Sequence, residues 1–180
     1  KLNLISIADI NSKLANSAAK KLGFQKSTAN WKNLINDNQL DLISITAPNS
    51  LHKDIAISAL KANKHVYCEK PLAPTLNETQ EMVEESKRTN KKTQVGFNYL
   101  SNPMFSTAKE IISSGDLGEI TSFRGIHAED YMSDPKSPYT WRHEPVGGGV
   151  LADLGSHILA TAEYLLGPIK QVMGDCTTVI

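Results

Sequence analysis

Short apolar runs alternate with helically spaced ones over the first half of the chain. Leu2-Asn3-Leu4-Ile5-Ser6-Ile7-Ala8 reads as a buried strand ending at Asp9. Leu14, Ala15, Ala18, Ala19 and Leu22 then recur at helical spacing, with Asn11 or Ser12 as the cap and Gly23 as the stop. Trp31, Leu34 and Ile35 suggest a short helix. Asp41-Leu42-Ile43-Ser44-Ile45-Thr46 is a continuous apolar strand of the kind found in parallel sheets, broken at Pro48. Leu51, Ile55, Ala59 and Ala62 return to the helical period. His65-Val66-Tyr67-Cys68 is the next strand, and Thr75 with Glu78 three residues later forms a capping box for a helix reaching about Asn90. Thr93-Gln94-Val95-Gly96-Phe97 closes the series as a strand.

Short strands alternating with helices predict a parallel α/β sheet with helices on both faces. Right-handed crossovers make it doubly wound. The loops at Asp9, Thr46–Asn49 and Glu69–Pro71 are expected along one edge of that sheet. The rhythm changes after residue 99. Asn102-Pro103 starts a helix with Met104, Phe105, Ala108, Ile111 and Ile112 inward, stopped by Gly115. Glu119 to Ala128 reads as a strand, residues 129–146 as irregular, and Gly149 to Leu166 as a helix closed by Gly167-Pro168. The pattern divides the chain into a 1–99 domain and the start of an α+β domain over 100–180. The chain opens at Lys1 directly before a strand and ends within the strand-like run Thr177–Ile180, so both ends are read as cut.

Composition narrows the function classes. The 180 residues are 40% apolar and 21% charged, with Lys plus Arg equal to Asp plus Glu. A nucleic-acid or membrane-surface binder carries a basic excess that is missing here. No apolar run reaches the roughly 18 residues of a spanning helix, and no signal peptide opens the chain. Cys68 and Cys176 lie far apart and without metal-like spacing, which reads as two reduced thiols in a cytoplasmic protein.

Several polar clusters carry candidate chemistry. Asp9 ends a strand, where it serves either as a helix cap or as an acceptor for ribose hydroxyls of a dinucleotide. Thr46, Pro48, Asn49 and His52 follow another strand, at the side where open α/β sheets take ligands, although Asn49 equally suits a cap. Glu69-Lys70-Pro71 follows the next strand, with Pro71 stiffening the turn so that both side chains are aimed. Asp153 and His157 are four residues apart in the expected helix and share a face, and histidine suits acid–base work near neutral pH. Gly147-Gly148-Gly149 before them is either a flexible loop or a close approach to a ligand. Arg142 can pair with phosphate or carboxylate, and Trp141 can shield a ring. His127, Glu129, Asp130 and His143 match no zinc spacing, and no metal is expected.

Taken in order, these residues resemble the glucose–fructose oxidoreductase and inositol dehydrogenase family over nearly the whole chain. The motifs are Glu69-Lys70-Pro71 after a strand, Trp141-Arg142, and the run Gly147-Gly148-Gly149-Val150-Leu151-Ala152-Asp153-Leu154-Gly155-Ser156-His157. The resemblance implies a partial Rossmann domain lacking its first strand and Gly-rich loop, then an α/β domain whose open sheet mediates homo-oligomers. It implies NAD as cofactor, contacted by Asp9, Thr46, Pro48, Asn49, His52, Glu69, Lys70, Asn98, Trp141 and Arg142. A cis peptide before Pro71 is common in such proteins. Lys70, Asp153 and His157 are then catalytic, and the substrate is a sugar or polyol. Relatives act on inositols, hexoses, anhydrosugars and amino sugars. Asp9 would repel a 2′-phosphate, which favours NAD over NADP. Without the Gly-rich loop, NAD binding by these residues alone is expected to be weak. Many relatives carry an arginine after Gly96-Phe97-Asn98, whereas here Tyr99-Leu100 follows. The rival readings are a non-catalytic nicotinamide-binding sensor or corepressor on the same fold, and a fragment with no function of its own.

Overall fold

The computed structural model describes residues 2–130, 133–134, 136–143 and 148–177. The chain divides into two compact units, Lys1–Gly96 and Phe97–Ile180.

The first unit alternates strand and helix: β1 (Ser6–Ala8), α1 (Ser12–Leu22), β2 (Lys26–Thr28), α2 (Lys32–Ile35), β3 (Leu42–Ile45), α3 (Asn49–Lys61), β4 (His65–Glu69), α4 (Leu76–Thr89) and β5 (Thr93–Gly96). Every ladder is parallel. The sheet is not continuous, however. β1 pairs with β2, and β3, β4 and β5 pair in that order, with no ladder joining the two groups among the described residues. The expected single sheet is therefore two among the described residues: each strand has two edges, and no edge of β1 or β2 pairs with β3, β4 or β5 there. β2 escaped the hydrophobic pattern: Lys26-Ser27-Thr28 has no apolar alternation, and its place is set by pairing Ser6 with Lys26 through Ala8 with Thr28. β1 is also shorter than expected and half-buried, with Leu2 and Leu4 exposed.

The core lies where α3 and α4 cover β3 and β4. Ile43, Ile45, Ile55, Ala59, Leu60 and Val66 are buried there, and Met82 reaches in from α4. Helix ends follow the sequence signals. Asn11 accepts from the N–H groups of Lys13 and Leu14, and Thr75 Oγ1 accepts from Glu78 N at 3.3 Å while donating to Glu78 Oε2 at 2.9 Å. Gly23 closes α1 at a left-handed φ of 85°. Lys64 is buried, and its ammonium donates to the carbonyls of Asp37 and Leu40 at 2.7 and 2.8 Å, pinning the loop before β3 to the start of β4.

Among its described residues, the second unit is helical wherever it is regular. A 3₁₀ turn (Asn98–Ser101) leads into α5 (Pro103–Ser114), capped by Asn102, whose side chain accepts from Met104 N at 3.0 Å. A 3₁₀ turn spans Trp141–His143. A π-helical turn over Leu151–Gly155 then runs into α6 (Ser156–Leu166). Lys109 Nζ donates to the Leu165 carbonyl at 2.9 Å, tying α5 to α6. The strand expected over Glu119–Ala128 does not form, because no described residue offers its backbone a partner. Met104 and Ile111, expected inward on α5, are exposed at 69% and 45%, since α6 covers only part of that helix. The strand expected at the chain end falls on Thr178–Ile180, outside the described residues, and Thr177 is in none.

Candidate active site

In the first unit the site is built by register. Ile45 lies level with Cys68, and Glu69 with Gly96, so β3, β4 and β5 end together. The loops after β3 and β4 hold Thr46–Asn49 and Glu69–Pro71. His52, fully buried at 0% exposure, joins them: its Nε2 is 2.8 Å from the Ala47 carbonyl and its Nδ1 2.9 Å from the Pro71 carbonyl. Carbonyl oxygens only accept, so both contacts are full hydrogen bonds when both ring nitrogens carry a proton. A ring with no exposed surface does not reach a cofactor. In this structure His52, expected as a cofactor contact, spans the two loops as a strut that fixes the turn bearing Lys70.

That turn is held from a second side. Gly96 has no Cβ where one would fall 2.7 Å from Glu69 Oε1 and 2.9 Å from the Tyr67 hydroxyl, so the Glu69 carboxylate lies across the end of β5. Burial first, then the charge of Glu69 and a hydrogen bond to it, raise the Tyr67 hydroxyl above its ordinary range. Tyr67 stays protonated and donates to Glu69. Burial, with the Glu69 charge adding to it, pushes the Cys68 thiol up to about 12, which removes it as a nucleophile. Lys70 is half-buried, and the Lys70–Pro71 bond is cis, as the resemblance implied.

Asn49 is buried as the first residue of α3, with Pro48 in the cap position, so Asn49 is not the cap itself. Thr46 and Pro48 are exposed. Asp9 stands exposed at the carboxyl end of β1. Its Oδ1 accepts from Asn11 N at 2.7 Å, while the helix cap itself is Asn11. A dinucleotide fits this donor set: an exposed carboxylate after one strand suits ribose hydroxyls, and the amides and side chains after β3 and β4 suit an amide or phosphate. The apolar crevice between α3, α4 and β4, lined by Leu60, Cys68, Met82 and Val95, holds none of these residues.

In the second unit, His157 opens α6 and is buried at 8% exposure. Three rings wall it. Tyr99 lies with its centroid 4.5 Å away and tilted 43°, His127 at 5.7 Å, and Phe97 edge-on at 6.0 Å. Asp153 sits in the π-helical turn, a feature that recurs at functional sites. The Asp153 Oδ2 accepts from Arg142 Nε at 3.2 Å. Arg142 thus pairs with a carboxylate of the chain itself. Asn98 is exposed at the start of the 3₁₀ turn, Trp141 contributes backbone to its own turn, and Gly147 of the glycine run lies outside the described residues.

Sequence reasoning missed three features. His52 as a strut depends on two loops that only the parallel register brings together. Tyr67 faces Glu69 because Gly96 leaves room on the neighbouring strand. The pairing of His127 with Glu129, Nε2 to Oε1 at 2.9 Å, was readable as a spacing but had no known neighbour.

A parallel α/β unit with polar loops at its strand ends is thus followed by a unit that carries Asp153 and His157. The chain belongs to the Gfo/Idh/MocA family. The profile described as "Oxidoreductase family, NAD-binding Rossmann fold" matches residues 1–97, and that of the "GFO/IDH/MocA C-terminal domain" matches residues 105–180. It is similar to levoglucosan dehydrogenase of Pseudarthrobacter phenanthrenivorans, with 40% identity over 96% of this chain and 45% of that protein. It is similar to myo-inositol 2-dehydrogenase of Thermotoga maritima, with 28% identity over 98% of this chain and 52% of that protein. A solved levoglucosan dehydrogenase in complex with NADH and levoglucosan superposes with a TM-score of 0.88 at 41% identity, covering 91% of this chain and 44% of that one. The chain spans about half the length of the relatives it matches.

Proposed function

We propose that the whole protein is a nicotinamide-dependent dehydrogenase that oxidises a secondary alcohol of a sugar or polyol. The reading rests on one observation above all: the register of β3 and β4, locked by His52, sets Asn49 and the Glu69–Lys70 turn at one end of a parallel sheet in a family of oxidoreductases. Residues 1–99 act as the cofactor domain and residues 100–180 as the first part of the substrate domain. NAD is the cofactor, held by Asp9, Thr46, Pro48, Asn49, Glu69, Lys70 and Asn98, with Trp141 and Arg142 from the later segment. NAD supplies the hydride acceptor when bound.

The chain supplies the proton chemistry and the positioning. His157 takes the proton of the reacting hydroxyl at a ring nitrogen, and the walls of Tyr99, Phe97 and His127 keep its ring in one orientation. Lys70 donates a hydrogen bond to the alcohol oxygen and stabilises the negative charge that develops there. Asp153, held by Arg142, accepts from a neighbouring group. The free thiols of Cys68 and Cys176 support a cytoplasmic home, and exposed apolar side chains such as Ile126, Val172 and Met173 support a homo-oligomer.

The test is NADH formation by the full-length protein with a panel of inositols, hexoses and anhydrosugars. Turnover with NAD above that with NADP is expected, falling by about 10²-fold in Lys70→Ala, the scale for losing a positioned acid–base group. Tight NAD binding without reduction on any substrate contradicts the proposal in favour of a sensor.

A further inference from the structure

His52 holds the Lys70 turn from one side. The group that holds the other side has no part in the proposed proton chemistry. Side chains alternate along a strand, so Tyr67 and Glu69 leave β4 on one face, opposite the buried Val66 and Cys68. The register sets Gly96 of β5 level with Glu69. A Cβ there would fall 2.7 Å from Glu69 Oε1 and 2.9 Å from the Tyr67 hydroxyl. A phenol and a carboxylate thus converge on the one spot where β5 has no side chain. Burial first, then the Glu69 charge and the hydrogen bond to it, favour the protonated phenol, which therefore donates. Both side chains are half-buried, where such a bond is stronger than in water.

A glutamate at a strand end samples many rotamers when nothing holds it. Here one O–H donor and one missing Cβ select a single place for its charge. The consequence is electrostatic. In the proposed cofactor site, Asp9 after β1 takes one ribose, and the other half of the dinucleotide belongs to the loops after β3 and β4. The nicotinamide ring is cationic when oxidised and neutral when reduced. A negative charge held at that strand end lowers the energy of the oxidised form and leaves the reduced form nearly untouched. Lys70, the next residue, brings the opposite charge to the same end. Where the Glu69 carboxylate is held therefore decides the balance between the two.

We infer that Tyr67 and Gly96 fix the Glu69 carboxylate at the end of β5 as the charge that makes this site favour oxidised over reduced nicotinamide. Tyr67 is a positioning residue: it acts through Glu69 and needs no contact with the cofactor. The inference rests on the proposed nicotinamide site, yet a ratio of affinities can be measured without substrate or turnover.

The experiment uses the full-length protein without substrate. Dissociation constants for NAD and for NADH are measured by calorimetry in the unaltered protein and in variants. Melting temperature is read alongside, since a purely structural pair lowers it without touching the ratio. Glu69→Gln keeps the shape and removes the charge. It is expected to weaken NAD about tenfold and NADH less than about threefold, the scale of one unit charge in a partly buried site. Tyr67→Phe keeps the ring but releases the carboxylate, and is expected to weaken NAD about threefold while NADH does not follow. Gly96→Ala displaces the tips of Glu69 and Tyr67 and is expected to match Tyr67→Phe. The double variant Tyr67→Phe, Glu69→Gln should lose no more NAD affinity than Glu69→Gln alone, because both act on one charge. Equal losses of NAD and NADH in Glu69→Gln overturn the inference. So does a ratio that Tyr67→Phe or Gly96→Ala leaves unchanged. The expected shifts in a protein that oxidises no sugar or polyol uphold the inference and count against the dehydrogenase reading. If neither form of the cofactor binds the unaltered protein, the inference fails together with the site it rests on.

Discussion

The two units of this chain are held together differently. In Lys1–Gly96, β3, β4, α3 and α4 bury a contiguous set of aliphatic side chains, and the polar loops hang from that rigid frame. In Phe97–Ile180, the only buried residue among those described is His157, and the helices are held by caps, by Lys109 on the Leu165 carbonyl and by rings around that histidine. The first unit is organised by a core, the second around a buried histidine. A parallel sheet fixes loop positions through its register. A helical unit without a described ladder fixes only what its side chains touch.

The sharpest way to break this contrast is to remove one aliphatic side chain from each unit. In the 180-residue chain, Ile45→Ala, at a site 2% exposed, is expected to cost about 2–5 kcal/mol through lost burial and a cavity. Met104→Ala on α5, 69% exposed, should stay within about 0.5 kcal/mol. Urea unfolding of both variants checks this, and similar losses would show that α5 is packed after all.

The strut comes next. His52→Leu leaves at least one of the Ala47 and Pro71 carbonyls without its donor, at about 1–3 kcal/mol for an unsatisfied group. In the full-length protein turnover should fall further than stability alone explains, because the Lys70 turn loses its tether. Equal turnover in soluble, folded His52→Leu would return that histidine to simple packing.

The smallest effect concerns Cys68. Its folded pKa, about 12, lies above the ordinary value of 9.0, so the unfolded chain gives up this proton first as pH rises. Stability is therefore full below about pH 9 and declines as pH climbs toward 12. Tyr67, also raised, adds to the same decline. Chemical denaturation across this range should show a shallower slope in Cys68→Ala, and an unaltered slope would mean that the thiol titrates freely.

What the sequence made legible follows the same division. Strands with apolar runs, such as Leu42–Ile45 and His65–Glu69, and helices with caps, such as Ser12–Leu22 and Pro103–Ser114, are written locally and were found. β2 was not, because Lys26-Ser27-Thr28 becomes a strand only through its neighbour β1. The segment from Glu119 to Ala128 misled in the opposite sense: it has the composition of a strand and finds no ladder among the described residues. Asp153 and His157 were readable as a pair four residues apart and Lys70 as a residue of the Pro71 turn, while the roles given to them came from the family resemblance. What surrounds them was not, since the contacts of His52, Gly96 and Gly125 join segments far apart in the chain.

In the proposed function the first unit holds the cofactor while His157, in the second, moves the substrate proton. The most direct measurement compares NADH affinity with turnover in full-length His157→Ala. Turnover on the preferred sugar is expected to fall by about 10²-fold or more while NADH affinity changes by less than about threefold. Near-normal turnover, or a loss of NADH affinity as large as the loss of turnover, would contradict it.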